Sequence, residues 1–569
     1  MHLRLLDALN HHAARSPQAP AVRHVTPAAP ELSQVVTYGE LAAQVARTAA
    51  RLSREVAAGD VVLLACPNDA RFTASFLAIL RAGAKAFPVS PELTEPELHS
   101  VADQSGAVAV VGTDSILAAL RGRVRTLVPI SEVWRSSGDH AGGGGEAPAR
   151  DPRGGGLLLQ SSGTTGTPKI AFRSAASLDA VAAAMVEAIG FTPDDRVLLP
   201  LPLCHSYGIE HGLLAPVLAG SCVHLCRGFD LHVVMKELAE GGVTIFPGVP
   251  FMFESLARLG GDMVCSPSPG NPGEGRGGGP GAEVSNLKSQ ISDLKYQISD
   301  RKSEIHPAPT PALPRSTGRG SEVVGFPSPI GFPTLRRAYS AGGPLPLAVF
   351  DAFRQRFGIP VSQLYGATEI GSVMFNDPDA PGPFDPASVG RPMRGVDVRV
   401  LDVERPRPDQ PLPAGAEGHV AVRADSMMSG YLRDDDDEAA PPTTVDGYLL
   451  TGDLGRLDAH GRLTLTGRIK LLIDVGGLKV NPLEVEAVLA QHPEVAACVV
   501  LPVRVSDTVS RLKAIVQPRD PAGGGPTAES LRRFARERLT PYKVPRLFEV
   551  RATLPRSPTG KILRHLVAA

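Results

Sequence analysis

The stretch "LLLQSSGTTGTPKIAFRS", residues 157–174, sets a short apolar run against a polar one. Leu157, Leu158 and Leu159 read as a buried strand, and Ser161 to Lys169 as the loop that leaves it. Nine positions hold two glycines, five hydroxyls and one lysine. Glycines let backbone N–H groups turn inward and approach a ligand closely. Hydroxyls and an ammonium suit phosphate oxygens or a phosphate-bound Mg²⁺. The same composition also describes a flexible Ser/Thr/Gly surface loop. The P-loop pattern G-x-x-x-x-G-K-[ST] is not met, because Pro168 precedes the lysine and Ile170 follows it; G-x-G-x-x-G is absent as well.

Around this stretch, short apolar runs alternate with segments of helical spacing. Val61–Cys66, Val108–Gly112, Leu157–Ser161, Val197–Leu201 and Val243–Phe246 are predicted strands. Arg71–Ala82, Ala175–Ile189, Leu231–Leu238 and Phe251–Leu259 are predicted helices. The alternation implies an α/β fold with parallel sheets. At 569 residues the chain exceeds one ordinary domain. Its last hundred residues read as a small α+β unit. Asn481-Pro482-Leu483-Glu484 gives a helix start with an N-cap, a proline in the first turn and a glutamate to reach back. The helix runs to about Leu489; strands 495–501 and 512–517 and helix Ala528–Leu539 follow.

Two segments stand apart. "AGGGGEAPARDPRGGG" (141–156) is a Gly/Pro-rich approach to the first motif. Residues 265–325 read as an insertion with Pro/Gly-rich, disordered flanks. Between them lies a sevenfold repeat, "SNLKSQI", "SDLKYQI", "SDRKSEI", with Leu287, Ile291, Leu294, Ile298 and Ile305 on a coiled-coil seam. Three heptads are marginal for an isolated helix.

Bulk properties exclude several classes. Hydrophobic residues make up 43%, enough for a large core, and 58 basic against 59 acidic residues leave a net charge of −1. No global field therefore calls for nucleic acid or an anionic membrane. Six cysteines do not make a disulfide framework. The N-terminus "MHLRLLDALNHHAARSP" lacks a signal-peptide core, and no window reaches about 18 uninterrupted apolar residues. No integral membrane segment is expected, and the default setting is cytoplasmic.

Four further stretches carry chemistry-bearing residues: "LYGATEIG" (364–371), "YLLTGDLGRL" (448–457), "TGRIKLLIDVGGLKVNPLEVE" (466–486) and "LPRSPTGKILR" (554–564). Each alone has a bland reading in turn glycines, surface charges and caps. All five in this order and spacing resemble the adenylate-forming superfamily: acyl-CoA synthetases, adenylation domains of peptide synthetases, and luciferases. The resemblance covers nearly the whole chain except 265–325. It implies a large N-terminal domain of β-sheets flanked by helices (1–467) and a small mobile α+β C-terminal domain (468–569). It also implies a two-step reaction: a carboxylate attacks the α-phosphate of ATP to give acyl-AMP and pyrophosphate, and a thiol, commonly that of coenzyme A, takes the acyl group. A carrier-protein phosphopantetheine is the alternative acceptor. A catalytically silent adenylate-binding scaffold is the rival from another class; intact Lys561, Glu369 and Asp453 argue against it.

By that resemblance, Ser161, Ser162, Gly163, Thr164, Thr165 and Gly166 with Lys169 cradle the β- and γ-phosphates. Thr368 meets the α-phosphate, and Glu369 is the Mg²⁺ ligand, a hard oxygen for a hard ion. Tyr365 offers a face to adenine, Gly342 and Gly343 in "AYSAGGPLP" run along the adenine and acyl pockets, and Asp453 and Arg468 hold the ribose. Lys561 bridges the carboxylate and the α-phosphate. Lys470 matches the hinge position, and Gly476 and Gly477 line the thiol tunnel. His205 in "LPLCHSYG" (201–208) sits near the acyl carboxylate. "FPGVPFMFESL" (246–256) reads equally as acyl-pocket lining or core. Cys222, His224 and Cys226 share a strand face with no fourth ligand nearby, which favours packing over metal. Asp434–Glu438 reads as a solvated loop. Two departures stand out: the insertion falls between two substrate-lining segments, and the usual S-G-G is Ser340-Ala341-Gly342-Gly343.

Overall fold

The computed structural model describes residues 4–25, 34–134, 154–161, 169–258, 331–432, 444–471, 473–475, 478–504, 510–520, 525–539, 543–556 and 562–568. The insertion at 265–325, its heptads, the 141–153 approach and Asp434–Glu438 lie outside the described residues.

Two large sheets organise the first 430 residues. A seven-stranded sheet has the order Gly430–Tyr431, Lys169–Ser174, Gly156–Ser161, Lys85–Pro88, Val61–Ala65, Ala109–Gly112, Thr126–Pro129. A nine-stranded sheet has the order Arg391–Pro392, Gly371–Phe375, Val361–Ala367, Arg337–Ser340, Ile245–Gly248, Arg196–Leu199, Cys222–Leu225, Pro20–His24, Val35–Thr37. The strands in the middle of each sheet run parallel, and the sheets carry antiparallel pairs toward their edges. This is the expected α/β architecture.

Strand periodicity divides the core. Val62, Leu64, Leu157, Leu159, Val197 and Leu199 belong to one central cluster that both sheets share. Leu63, Val110 and Leu158 face an outer cluster on the seven-stranded sheet, and Leu198 and Phe246 another on the nine-stranded sheet. Helix Ala70–Arg81 belongs to the central cluster and has eleven of its twelve residues buried. An all-round apolar helix is what a position between two sheets requires. Phe253 and Leu256 pack in the outer cluster with Phe246 and Phe353, which favours the core reading for that part of 246–256. Cys222 and Cys226 are buried, and His224 pairs with Glu237 at 2.7 Å, again as packing.

Three observations depart from the sequence reading. Lys169–Ser174, to which the sequence reading assigns no element, is a strand that returns antiparallel to Gly156–Ser161 as a hairpin, with Ser161 paired to Lys169. The helix from Ala175 is α-helical to Met185 and widens to a π-turn over Val186–Gly190. Asn481 caps its helix by accepting from Leu483 N at 3.0 Å, as expected, but Glu484 turns to Lys543 at 2.7 Å instead of reaching back.

A five-stranded antiparallel sheet follows, with Gly418–Ala424 and Tyr448–Leu457 at its centre and Leu463–Arg468 paired to the latter. The last hundred residues hold strands Val495–Arg504, Ser510–Pro518 and Leu547–Val550 with helices Pro482–Leu489 and Ala528–Arg536 around their own apolar cluster, the expected α+β unit.

Candidate active site

The turn that leaves strand Val361–Ala367 carries Thr368 and Glu369, both half-buried. A strap over 426–432 closes on it. Met428 N donates to the Glu369 carbonyl at 2.8 Å and Ser426 Oγ to the Ile370 carbonyl at 2.6 Å. The strap then joins the 157–174 hairpin: Ser429 N donates to Phe172 O at 2.7 Å and Leu432 N to Ile170 O at 2.9 Å. Between these anchors Tyr431 donates its hydroxyl to Glu369 Oε1 at 2.9 Å, and Lys169 Nζ sits 5.0 Å from the centroid of its ring. Lys169 and Glu369, two hundred residues apart, thus share one tyrosine. Tyr431 was not singled out from sequence; its signal was an aromatic next to a glycine in "MMSGYL".

On the other side of the same turn, Tyr365 is 7% exposed and donates its hydroxyl to Asp453 Oδ2 at 2.7 Å. Asp453 Oδ1 lies 2.8 Å from Arg468 Nε, its cross-strand neighbour. Each carboxylate oxygen retains a lone pair beyond these bonds. The loop before Asp453 is held by Asp453 N on Thr451 Oγ at 3.1 Å and by Gly452 N on His419 Nε2 at 2.9 Å. Burial lowers the His419 pKa, which keeps the ring able to accept.

His205 leads into the helical turn Ser206–Ile209 and is exposed. The protein around its imidazole still lowers its pKa, so it is neutral near pH 7. Asn68 fixes the preceding loop: its Nδ2 donates to Leu201 O at 2.8 Å and to Cys226 O at 3.3 Å, and its Oδ1 accepts from Leu203 N at 2.9 Å. Gly342 has φ +81°, a left-handed conformation that favours glycine, and Gly343 is exposed. Lys470 lies in the short turn Ile469–Leu471. Ser162, Gly163, Thr164, Thr165, Gly166, Gly476, Gly477 and Lys561 lie outside the described residues.

Below this surface is a buried polar chain that the sequence reading missed. Glu210 Oε1 accepts from Arg173 Nη1 and from Ser206 Oγ at 2.9 Å. Its Oε2 accepts from Ser372 N at 3.0 Å and Ser372 Oγ at 2.6 Å. Since Ser372 spends its one hydroxyl proton on Glu210, His211 Nε2 must donate to Ser372 Oγ, 3.2 Å away. His211 Nδ1 then accepts from Tyr339 OH at 2.7 Å. Burial alone would raise the Glu210 pKa; Arg173 and the Ser372 hydroxyl outweigh it and leave the carboxyl lowered and ionised. Burial drives His211 down to about 3, and it stays neutral.

A buried neutral histidine gives a pH signature. Between about 6.5 and the folded value, the unfolded chain binds the proton and the folded chain does not. Stability should therefore fall as pH drops below about 6.5, at up to roughly 1.4 kcal/mol per pH unit. His211→Gln should lower the melting midpoint at pH 7 yet narrow the drop between pH 7 and pH 5. Thermal midpoints at the two pH values check this; an unchanged drop would mean His211 does not titrate on unfolding.

Comparison with known proteins fits this geometry. The family described as AMP-binding enzyme matches residues 9–432, and the AMP-binding enzyme C-terminal domain matches 484–561. The chain belongs to this family of adenylate-forming enzymes. Oxalate--CoA ligase of Arabidopsis thaliana is 26% identical over 94% of this chain and 93% of that protein. Feruloyl-CoA synthase of an Amycolatopsis species is 28% identical over 97% of this chain and 96% of that protein. ATP-bound MatB from Rhodopseudomonas palustris shares the fold, with a TM-score of 0.77 at 22% identity, covering 100% of this chain and 98% of that one.

Proposed function

We propose that this enzyme activates a carboxylic acid, fatty or aryl, with ATP to give acyl-AMP and pyrophosphate, and then transfers the acyl group to the thiol of coenzyme A. The observation that carries the reading is the turn 364–371. It places Glu369 and, through Tyr431, Lys169 on one side, and Tyr365 with the Asp453–Arg468 pair on the other. That arrangement suits a nucleotide with its triphosphate toward Lys169 and its ribose toward Asp453.

The residues fit Mg²⁺·ATP. Mg²⁺ is held through one or two carboxylates together with substrate phosphates, so a single half-buried Glu369 suffices. Among the described residues no group of three His, Cys, Asp or Glu is placed to hold a metal alone. Bound Mg²⁺ would neutralise charge developing on the phosphates. Lys169 and Thr368 would add donors to them, and Lys561 would join the two reacting anions. His205, neutral, would border the acid's carboxylate.

Domains 1–467 and 468–569, with the second mobile about Lys470, belong to this proposal. No helix among the described residues is long and apolar enough to cross a membrane. Cysteines Cys66, Cys204, Cys222, Cys226 and Cys498 are free, which agrees with a reducing, cytoplasmic setting.

A panel of carboxylic acids tested for ATP–pyrophosphate exchange checks the reading. Exchange should depend on one class of acid, and coenzyme A should then yield its thioester. Exchange without a coenzyme A thioester, but with acylation of a pantetheinylated carrier protein, would reassign the acceptor. No exchange with any acid would overturn adenylation.

The insertion is proposed to take no part in this chemistry. Strands Ile245–Gly248 and Arg337–Ser340, on either side of it in the chain, pair directly in parallel register. Long surface insertions into such a connection cost little. Replacing residues 266–324 with a short Gly/Ser linker should leave turnover and acid preference nearly unchanged. Loss of activity in a variant that melts like wild type would place the insertion at the substrate pocket.

A further inference from the structure

The Glu210 carboxylate is 1% exposed and gathers donors from three separate parts of the site. Arg173 comes from the hairpin strand that begins with Lys169. Alternation along that strand puts Lys169 and Arg173 on one face. Ser206 directly follows His205. Ser372 directly follows the 364–371 turn that carries Thr368 and Glu369. We propose that Glu210, through its ion pair with Arg173, is a positioning residue that locks the phosphate hairpin in register with the Glu369 turn.

Several features single out this pair. Arg173 is 0% exposed, and its Nε and Nη2 have no hydrogen-bond partner among the described residues, so Glu210 is its compensating charge there. Gly371 makes room for the guanidinium: its φ is +71°, and a Cβ there would stand 2.7 Å from Arg173 Nη2. Glu210 opens a π-turn, Glu210–Leu214, in the helical segment behind His205. Such turns, rare overall, occur often at functional sites. For stability alone a buried ion pair is a poor choice, since apolar residues of like volume serve as well or better. Directional bonds to three motif-bearing segments are what it supplies instead. The His211–Tyr339 branch extends the same register to the strand that leads into Gly342.

The proposal rests on the adenylation reading, and the test separates the two. Arg173→Met/Glu210→Gln removes both charges, leaves no unpaired ion, and keeps one acceptor oxygen for Ser372, while the new amide NH2 can donate to Ser206 Oγ. Its melting midpoint should stay near wild type. Three readouts are compared with wild type: calorimetric binding of Mg²⁺ with α,β-methylene-ATP, ATP–pyrophosphate exchange, and thioester formation from synthetic acyl-AMP. Exchange kcat/KM for ATP should fall on the order of 10²-fold, as for a reacting group misplaced by about 1 Å. Analogue binding should weaken in parallel, while thioester formation from preformed adenylate changes little. Ser206→Ala, which removes one neutral donor, should show the same split in smaller measure and serves if the double variant fails to fold. Unchanged nucleotide binding and exchange, or equal loss in both half-reactions, overturns the positioning role. Wild-type protein that binds no analogue and exchanges with no acid overturns the adenylation reading instead.

Discussion

Lys561→Ala should lower ATP–pyrophosphate exchange by on the order of 10²–10³. The reaction brings a carboxylate onto an α-phosphate, two anions that repel until a cation stands between them. The ammonium of Lys561 is a compact point charge suited to bridge both. Thioester formation from synthetic acyl-AMP needs no such bridge and should survive. The described residues on either side of 557–561 are anchored. Arg556 and Ile562 form a bridge, and Leu554, Ile562 and Val567 pack against Val499 and Ile515. Arg564 pairs with Glu486 and donates to Val500 O at 3.2 Å. Exchange and thioester rates measured on one preparation decide the matter; equal loss in both would show that Lys561 acts on neither step selectively.

Arg173→Met alone should destabilise the protein by on the order of 3–5 kcal/mol, because it strands an ionised carboxylate in the core. This contrasts with the double substitution, which removes both charges. A drop in thermal midpoint for the single variant, recovered when Glu210→Gln is added, is the expected pattern. If the single variant melts like wild type, the two groups are not a buried, charged pair.

Much of the fold was legible because apolar periodicity reports burial directly. Val61–Ala65 alternates between two clusters along its five buried residues, and a run of that kind has few other uses. The residues proposed to face the nucleotide were read from ordered motifs, and the structure brings Tyr365, Asp453 and Arg468 together. The returning strand Lys169–Ser174 was not legible, since a lysine and an arginine at its ends mark a surface segment by default. The Glu210 network was hidden for the same reason. Arg173 and Ser372 lie 37 and 162 positions from Glu210, and nothing local in "SYGIEHG" or "AFRS" says that these groups meet in the interior. Tyr431 was missed because its partners lie on a hairpin and a turn that only the folded chain brings together. Glu484 fitted a capping pattern, yet a lysine 59 residues away competes better for its carboxylate.

The most direct test of the account is a single-turnover mixture of enzyme, ATP, Mg²⁺ and the preferred acid without thiol, followed by addition of coenzyme A. The account predicts release of pyrophosphate and a stoichiometric, enzyme-bound acyl-AMP, which coenzyme A then converts to acyl-CoA and AMP. Release of ADP and phosphate in place of pyrophosphate, or an adenylate that coenzyme A leaves unchanged, would contradict it.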